Sequence, residues 1–166
     1  KIVENMVGLV GEAKKDIYLV QISTDHVYNG AGLSDELETT ILNNYAMTKY
    51  AADLLIDGNC GVSLRTNFFG KSNVAGRESI TDWVFRSKMI GASINVFDDV
   101  YFCPLSFASV NEILSKVIRK RPLGIFNLGS HQGMSKAQFD ILFCQCLGFE
   151  TSFMKSIKSV DAKVLK

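Results

Sequence analysis

The sequence lacks the features that mark membrane, secreted and nucleic-acid-binding proteins. No apolar run approaches the roughly 20 residues of a membrane-spanning helix, and the first residues do not form the apolar core of a signal peptide. Neither sign of charge dominates, because 18 Lys and Arg residues balance 17 Asp and Glu residues to a net charge of +1. The chain therefore has no overall field that would attract a nucleic acid polymer or an anionic membrane. We expect a cytoplasmic protein with neither kind of partner.

Cysteine is scarce, and no pair of cysteines has the spacing of a zinc knuckle or of a redox C-x-x-C motif. The four cysteines are Cys60, Cys103, Cys144 and Cys146. Each has apolar neighbours, so we expect buried, reduced thiols and no metal site. Reduced thiols are typical of the cytoplasm.

Strand-like and helical segments alternate along the chain, and 47% of its residues are hydrophobic, enough for a core. Runs at 17–23 and 61–66 predict strands buried on both faces, the second followed by a turn at 67–70. Further strands are predicted at 93–97 and 124–129, and helices at 3–10, 45–55, 80–90 and after capping boxes that begin at Ser109 and Ser135. This alternation predicts an α/β fold with a largely parallel sheet.

Three side chains are predicted to meet at one edge of this sheet. Thr24 follows the first buried strand, and ligands of open parallel sheets bind beyond the carboxyl ends of the strands. Tyr45 and Lys49 lie four residues apart on the next helix, so they share a face. If that face looks toward the strand end, a hydroxyl, a phenol and an ammonium converge.

Such a group suits the reduction of a carbonyl, because a hydride that arrives at carbon leaves negative charge on oxygen. Tyr45 would donate the proton, Lys49 would favour the phenolate form of that phenol, and Thr24 would hold the oxygen. The hydride must come from a cofactor, since no side chain supplies one. By itself, Y-x-x-x-K occurs by chance in many proteins and more often marks a half-buried tyrosine beside a solvated lysine than a catalytic pair.

The three residues lie in longer motifs that resemble those of a known family. Residues 23–30, 45–49 and 64–70 read S-T-D-H-V-Y-N-G, Y-A-M-T-K and L-R-T-N-F-F-G. They resemble extended short-chain dehydrogenase/reductases, and within these the dTDP-4-dehydrorhamnose reductase branch, which has S-T-D-Y-V-F-D-G at the first site. The resemblance covers nearly the whole chain. It implies part of a Rossmann-like dinucleotide-binding domain at 1–70 and a substrate-binding portion at 71–166.

The resemblance also implies ligands and roles. The catalytic residues would be Thr24, Tyr45 and Lys49, the cofactor NADP(H) or NAD(H) and the substrate a nucleotide sugar. The oligomeric state stays open, with a homodimer as one alternative. Cofactor contacts would come from Ser23, Tyr45, Lys49, Thr66 and Asn67, and substrate contacts from Asp25, His26 and Phe68. Arg65 would lie near the cofactor or form a salt bridge at the strand end.

Some residues depart from the pattern of this branch. His26 stands where the family has a substrate-contacting Tyr, Pro104-Leu105 replaces a usual Pro-Thr, and Phe68-Phe69 stands where a Trp-containing segment is common. The identity of the sugar therefore stays open.

Two rival functions follow from the same resemblance. An epimerase or dehydratase would use the same Tyr45 and Lys49 for a transient oxidation, but a dehydratase usually adds an acidic pair beside the Thr, and only Asp25 follows Thr24. The second rival is a regulatory subunit that binds NADP without turnover. The retained Thr24, Tyr45 and Lys49 argue against it.

A glycine-rich phosphate-binding loop is missing. No G-x-x-G-x-x-G follows an N-terminal strand, so the helix N-terminus that binds a dinucleotide pyrophosphate is not encoded here. The chain also opens without an initiator Met, directly in amphipathic sequence. We therefore expect a fragment of a longer protein whose N-terminal portion carries the phosphate loop.

Overall fold

A computed structural model describes residues 1–13, 16–29, 32–56 and 60–162. The helices are α1 (Ile2–Glu12), α2 (Asn44–Ile56), α3 (Ile80–Met89), α4 (Phe107–Lys120) and α5 (Lys136–Cys146), with a 3-10 turn at Asp25–Val27. The strands are β1 (Leu19–Thr24), β2 (Gly61–Phe69), β3 (Ile94–Phe97), β4 (Tyr101–Phe102), β5 (Pro104–Ser106), β6 (Gly124–Leu128), β7 (Met134–Ser135) and β8 (Met154–Ile157). In the part of the chain described, no helix combines the length and apolar character needed to cross a membrane.

The described chain divides into two compact units. The first contains residues 1–67 and 108–129, and the second contains residues 68–107 and 130–166. The first boundary lies close to the division at residue 70 expected from the sequence. The return of 108–129 to the first unit was not expected, and its cause is the pairing of β6 with β2. The functional labels of the two parts stay predictions.

The first unit is built on parallel strands. β1 pairs with β2 from Leu19 opposite Gly61 to Thr24 opposite Thr66, and β6 pairs with β2 on its other side. The first six residues of β2 are all buried, as expected for a strand between two neighbours. α2 packs against β1, the 3-10 turn and α1. The predicted α/β fold with a largely parallel sheet is therefore confirmed.

The second unit has its own apolar core and its own strand pairs. Its buried residues Val84, Ile94, Val96, Ala137 and Cys144 come from α3, β3 and α5, and partly buried aromatic side chains surround them. β3 pairs in parallel with β8, and β4 pairs antiparallel with β7. α3 and α5 pack against each other over this core.

The structure corrects several sequence predictions. β2 continues to Phe69, where a turn was expected from residue 67. α4 begins at Phe107, so Ser109 lies inside the helix and does not open it. The capping box of α5 is confirmed, because the Ser135 hydroxyl accepts from the Gln138 amide and the Gln138 side chain accepts from the Ser135 amide.

None of the four cysteines forms a disulfide bond within the described residues. Cys144 is buried, as predicted. Cys60 and Cys103 are partly exposed and Cys146 is exposed, so the prediction of burial was wrong for these three.

Candidate active site

Thr24 ends β1 and lies opposite Thr66 in the register of the sheet. Its side chain is buried, and its Oγ1 accepts a hydrogen bond from the backbone N–H of His26 at 3.2 Å. This bond caps the 3-10 turn at Asp25–Val27. The chain therefore leaves the strand through a turn that fixes the Thr24 hydroxyl at the carboxyl edge of the sheet.

Tyr45 and Lys49 lie on the first turns of α2. Asn43 precedes the helix, and its Oδ1 accepts from the backbone N–H of Ala46 at 2.8 Å, which satisfies one of the free donors at the helix start. The Lys49 Nζ lies 6.0 Å from the centre of the Tyr45 ring. It also donates to the carbonyl oxygen of Ile22, on β1, at 3.0 Å. The shared face of the helix thus looks toward the end of β1.

The His26 ring completes this cluster. It meets the Tyr45 ring edge-on, with the ring centres 5.7 Å apart and the planes at 83°. Both side chains are exposed, Tyr45 at 52%. The phenol is therefore open to solvent and does not point into the apolar core, as a proton donor to a bound ligand requires.

Two hydroxyls with unmet hydrogen-bonding capacity lie at the same edge. Ser23 Oγ and Thr66 Oγ1 are buried, and neither has a hydrogen-bond partner in the part of the chain that the structure describes. A buried polar group without a partner costs roughly 1–3 kcal/mol. A polar ligand bound at the carboxyl edge would remove that cost.

Asp25 and Asn67 face each other beside this edge. The Nδ2 of Asn67 lies 3.2 and 3.3 Å from the two carboxylate oxygens of Asp25. Both side chains are half-buried. This contact joins a residue expected to bind substrate to one expected to bind cofactor.

Arg65 is buried, and one of its two predicted roles, the salt bridge, is confirmed. Its Nε lies 2.9 Å from Oδ2 of Asp53, and the two side chains are 1% and 0% exposed. Burial alone lowers the pKa of Arg65, but hydrogen bonds to Tyr28 and Asp53 outweigh it, so the pKa is raised. Sequence reasoning did not identify Asp53 as the partner. No local pattern in the sequence distinguishes this aspartate from a solvated one on the surface of a helix.

Phe68 lies in the second unit and packs against Phe107, with the ring centres 5.0 Å apart. Its role as a substrate contact stays a prediction. Gly30, the last residue of the first family-like motif, lies outside the described residues.

Neither of two sequence comparisons finds a match. No protein-family profile matches the chain, and no curated protein matches it.

Comparison with solved structures finds many similar folds. A dTDP-4-dehydrorhamnose reductase from Bacillus anthracis in complex with NADP superimposes with a TM-score of 0.82 at 20% identity, over 97% of this chain and 57% of that chain. A dTDP-4-dehydrorhamnose reductase from Clostridium acetobutylicum gives 0.81 at 18% identity, over 96% of this chain and 56% of that one. A dTDP-glucose 4,6-dehydratase from Bacillus anthracis in complex with NAD gives 0.77 at 18% identity, over 95% and 54%.

The chain therefore spans little more than half the length of these structures. At such low identity the likeness establishes the fold, a Rossmann-like α/β arrangement with a largely parallel sheet, and leaves the reaction to the residues of the site.

Proposed function

We propose that this chain forms the catalytic portion of an NADP(H)- or NAD(H)-dependent reductase, a short-chain dehydrogenase/reductase that acts on a keto group of a nucleotide-activated deoxysugar. The observation that carries the proposal is the cluster of Thr24, Tyr45 and Lys49 at the carboxyl edge of a parallel sheet. Open parallel sheets bind their ligands at this edge.

Each member of the cluster has a role in carbonyl reduction. Tyr45, exposed at the edge, donates a proton to the carbonyl oxygen of the substrate. The Lys49 ammonium stabilises the phenolate that remains. The Thr24 hydroxyl, held by the turn that follows β1, hydrogen-bonds the oxygen on which negative charge develops.

The residues at the edge fit a nicotinamide cofactor. Such a cofactor, when bound, supplies the hydride that the reduction needs. The hydroxyls of Ser23 and Thr66, which have no hydrogen-bond partner among the described residues, are suited to its polar groups, and Lys49 and Asn67 would add further hydrogen bonds. Tyr45 would contact the cofactor from the exposed side of α2.

The substrate class rests on the resemblance and on the solved structures. Both reductases described above reduce a dTDP-linked 4-keto sugar by name. Asp25 and His26 lie in the turn that follows Thr24, where they would contact the sugar, and Phe68 would be a further contact. Cytoplasmic location and homodimeric assembly stay predictions.

A dehydratase or epimerase of the same superfamily is the second candidate, since dehydratases share the fold. One feature of the turn favours the reductase. Dehydratases usually add an acidic pair beside the catalytic Thr, whereas Asp25 is followed here by the imidazole of His26.

The test is an assay of NADPH oxidation with a panel of 4-keto nucleotide sugars, in the natural protein at its full length. Tyr45→Phe should lower turnover at least about a hundredfold, the scale of a lost general acid, with little change in cofactor affinity. The matched control is Tyr18→Phe. The Tyr18 hydroxyl donates to the Pro122 carbonyl, and these two residues precede the amino ends of β1 and β6, away from the cluster.

Three outcomes separate the candidates. Oxidation of NADPH that depends on Tyr45 supports the reductase. Loss of water from a nucleotide-linked hexose, with no net consumption of NADPH, would identify a dehydratase. A Tyr45→Phe protein that binds NADPH and is indistinguishable from wild type in every assay would favour the regulatory subunit.

A further inference from the structure

A buried polar network lies beneath the cluster at the sheet edge. Asp53, on α2, accepts from the Ser63 hydroxyl at 2.5 Å and from the Arg65 Nε at 2.9 Å. Ser63 and Arg65 lie two residues apart on β2, so both side chains emerge from the same face of the sheet. One carboxylate of the helix is therefore bound to two neighbouring positions of the central strand.

Arg65 also contacts the segment that follows β1. Its Nη1 donates to the Tyr28 hydroxyl at 2.8 Å and to the Glu36 carbonyl oxygen at 2.7 Å. The guanidinium carbon lies 5.5 Å from the centre of the Tyr28 ring and 5.7 Å from that of Tyr50, on α2. A single planar cation thus connects α2, β2 and the chain between the 3-10 turn and α2.

The network is placed to set the position of the catalytic helix. Asp53 lies one turn beyond Lys49 and two turns beyond Tyr45, on the same side of α2. Arg65 lies opposite Ser23 in the register, immediately before the pair of Thr66 and Thr24. The bond between Asp53 and Arg65 therefore ties α2 to β2, the strand that pairs with the strand of Thr24.

Stability alone does not explain a buried pair of this kind. Apolar residues of similar volume often replace such a pair without loss of stability, because two charges lose their hydration on burial. A fork of hydrogen bonds provides direction, which apolar packing does not. Catalysis depends on direction, since a misplacement of about 1 Å can cost about a hundredfold in rate.

We propose that Asp53 and Arg65 are positioning residues that hold Tyr45 and Lys49 in register with Thr24. The inference rests on the proposed function, because its catalytic consequence requires that Tyr45 and Lys49 act on a substrate. Neither residue needs to touch the substrate to have this effect.

The experiment compares one triple and one double variant with wild type in the natural full-length protein. The first removes the network without leaving an unpaired charge: Asp53→Leu, Ser63→Ala and Arg65→Met. The second is a matched control, Asp16→Leu with Arg121→Met, which removes another Arg–Asp pair of the first unit. That pair lies before the amino ends of β1 and β6, away from the cluster. Thermal unfolding identifies a temperature at which all three proteins are folded.

At that temperature the network variant should lose at least about tenfold in kcat for NADPH oxidation, with KM for the keto sugar within about threefold of wild type. Amide hydrogen exchange at residues 45–49 should be at least about tenfold faster, and unchanged in the control. A folded network variant with wild-type kcat, or with unchanged exchange at 45–49, would refute the positioning role. A variant that does not fold at any temperature would also refute it, because the network would then be structural.

The outcome is separable from that of the proposed function. If wild type reduces no keto sugar, the proposed function fails whatever the variants do. If wild type is active and Tyr45→Phe is not, while the network variant keeps wild-type kcat, only the positioning inference fails.

Discussion

The Nζ of Lys49 donates a hydrogen bond to the carbonyl oxygen of Ile22 at 3.0 Å. Ile22 lies two residues before Thr24 on β1, so this bond joins the helix that carries the phenol to the strand that carries the hydroxyl. An ammonium has three donors, and the bond to Ile22 uses one of them for position.

Lys49→Ala should lower activity more than Tyr45→Phe does. It removes the ammonium beside the Tyr45 ring and the bond to Ile22, so turnover should fall by more than about a hundredfold. The proposed function also assigns Lys49 a hydrogen bond to the nicotinamide cofactor, so NADPH should bind more weakly, and a fluorescence titration measures this. Lys116→Ala, on the exposed side of α4, should leave turnover and affinity unchanged. Wild-type turnover and NADPH affinity in Lys49→Ala would show that Lys49 acts neither in catalysis nor in cofactor binding.

The sequence was sufficient to predict the elements that carry the site. The run at 17–23 is rich in β-branched residues, and residues 45–55 have the composition of a helix. The predicted ends of β1 and α2 therefore lie within two residues of the observed ends. The end of β2 was missed because N-F-F-G has the composition of a turn. Phe68 and Phe69 instead pack on Phe107 and Phe139, and this tertiary packing overrides the local preference.

The two predicted capping boxes had different outcomes, because a cap also depends on where the preceding strand ends. Ser135 caps α5, whereas Ser109 follows the start of α4 at Phe107. A pattern of four residues does not encode where the preceding strand ends. The strands β4 and β7 have two residues each, too few for any periodicity to be detected.

The site itself was only partly predictable. Strand-end position and helical spacing predicted that Thr24, Tyr45 and Lys49 lie near one another, and the structure places Lys49 against the strand that ends at Thr24. Their catalytic roles stay predictions. The contact of Asp53 with Arg65 joins residues 12 positions apart on different elements, and a single aspartate on a helix is more often solvated. No local pattern distinguishes the two cases.

Ser135→Ala should lower the free energy of unfolding by about 1 kcal/mol, because the amide of Gln138 loses its capping partner at the start of α5. Ser115→Ala is the matched control. Ser115 lies inside α4, where its hydroxyl donates to the Asn111 carbonyl, and alanine there should be neutral or slightly stabilising. Urea denaturation of the two variants measures the difference. Equal effects would show that the capping bonds of α5 contribute no stability.

Two Gly→Ala substitutions should change the stability of the protein in opposite directions. A Cβ added to Gly61 would lie 2.0 Å from the carbonyl oxygen of Leu19, a backbone atom that cannot move without distorting the pairing of β1 and β2. Gly61→Ala should therefore destabilise the protein by about 1–3 kcal/mol. A Cβ at Gly8, in α1, meets nothing within 4 Å, so Gly8→Ala should stabilise the helix by about 0.5–1 kcal/mol. Thermal unfolding would contradict the structure if both substitutions shifted the midpoint in the same direction.

Asp140 provides the basis for a prediction on pH. It lies on α5 at 2% exposure, and its Oδ1 has no hydrogen-bond partner among the described residues. Burial raises the pKa of Asp140 from 3.8 to about 7, and the Lys136 ammonium one turn earlier offsets only part of that. Burial also raises the pKa of the neighbouring Cys144 thiol, and the Asp140 carboxylate adds to the effect.

Because the folded state holds its proton to a higher pH than the unfolded chain, it binds more protons between about pH 4 and 7, and the free energy of unfolding falls as pH rises through this window. The contribution of Asp140 is present in full below about pH 4 and lost above about pH 7, with a total of up to about 4 kcal/mol. Asp140→Asn removes the ionisation. The free energy of unfolding of Asp140→Asn minus that of wild type should therefore increase by at least about 1 kcal/mol between about pH 5 and pH 8. Urea denaturation at both pH values measures this, with Asp161→Asn, at an exposed position, as the control that should follow wild type. A difference between Asp140→Asn and wild type that stays constant with pH would mean that the Asp140 carboxyl is hydrated or paired in the folded protein.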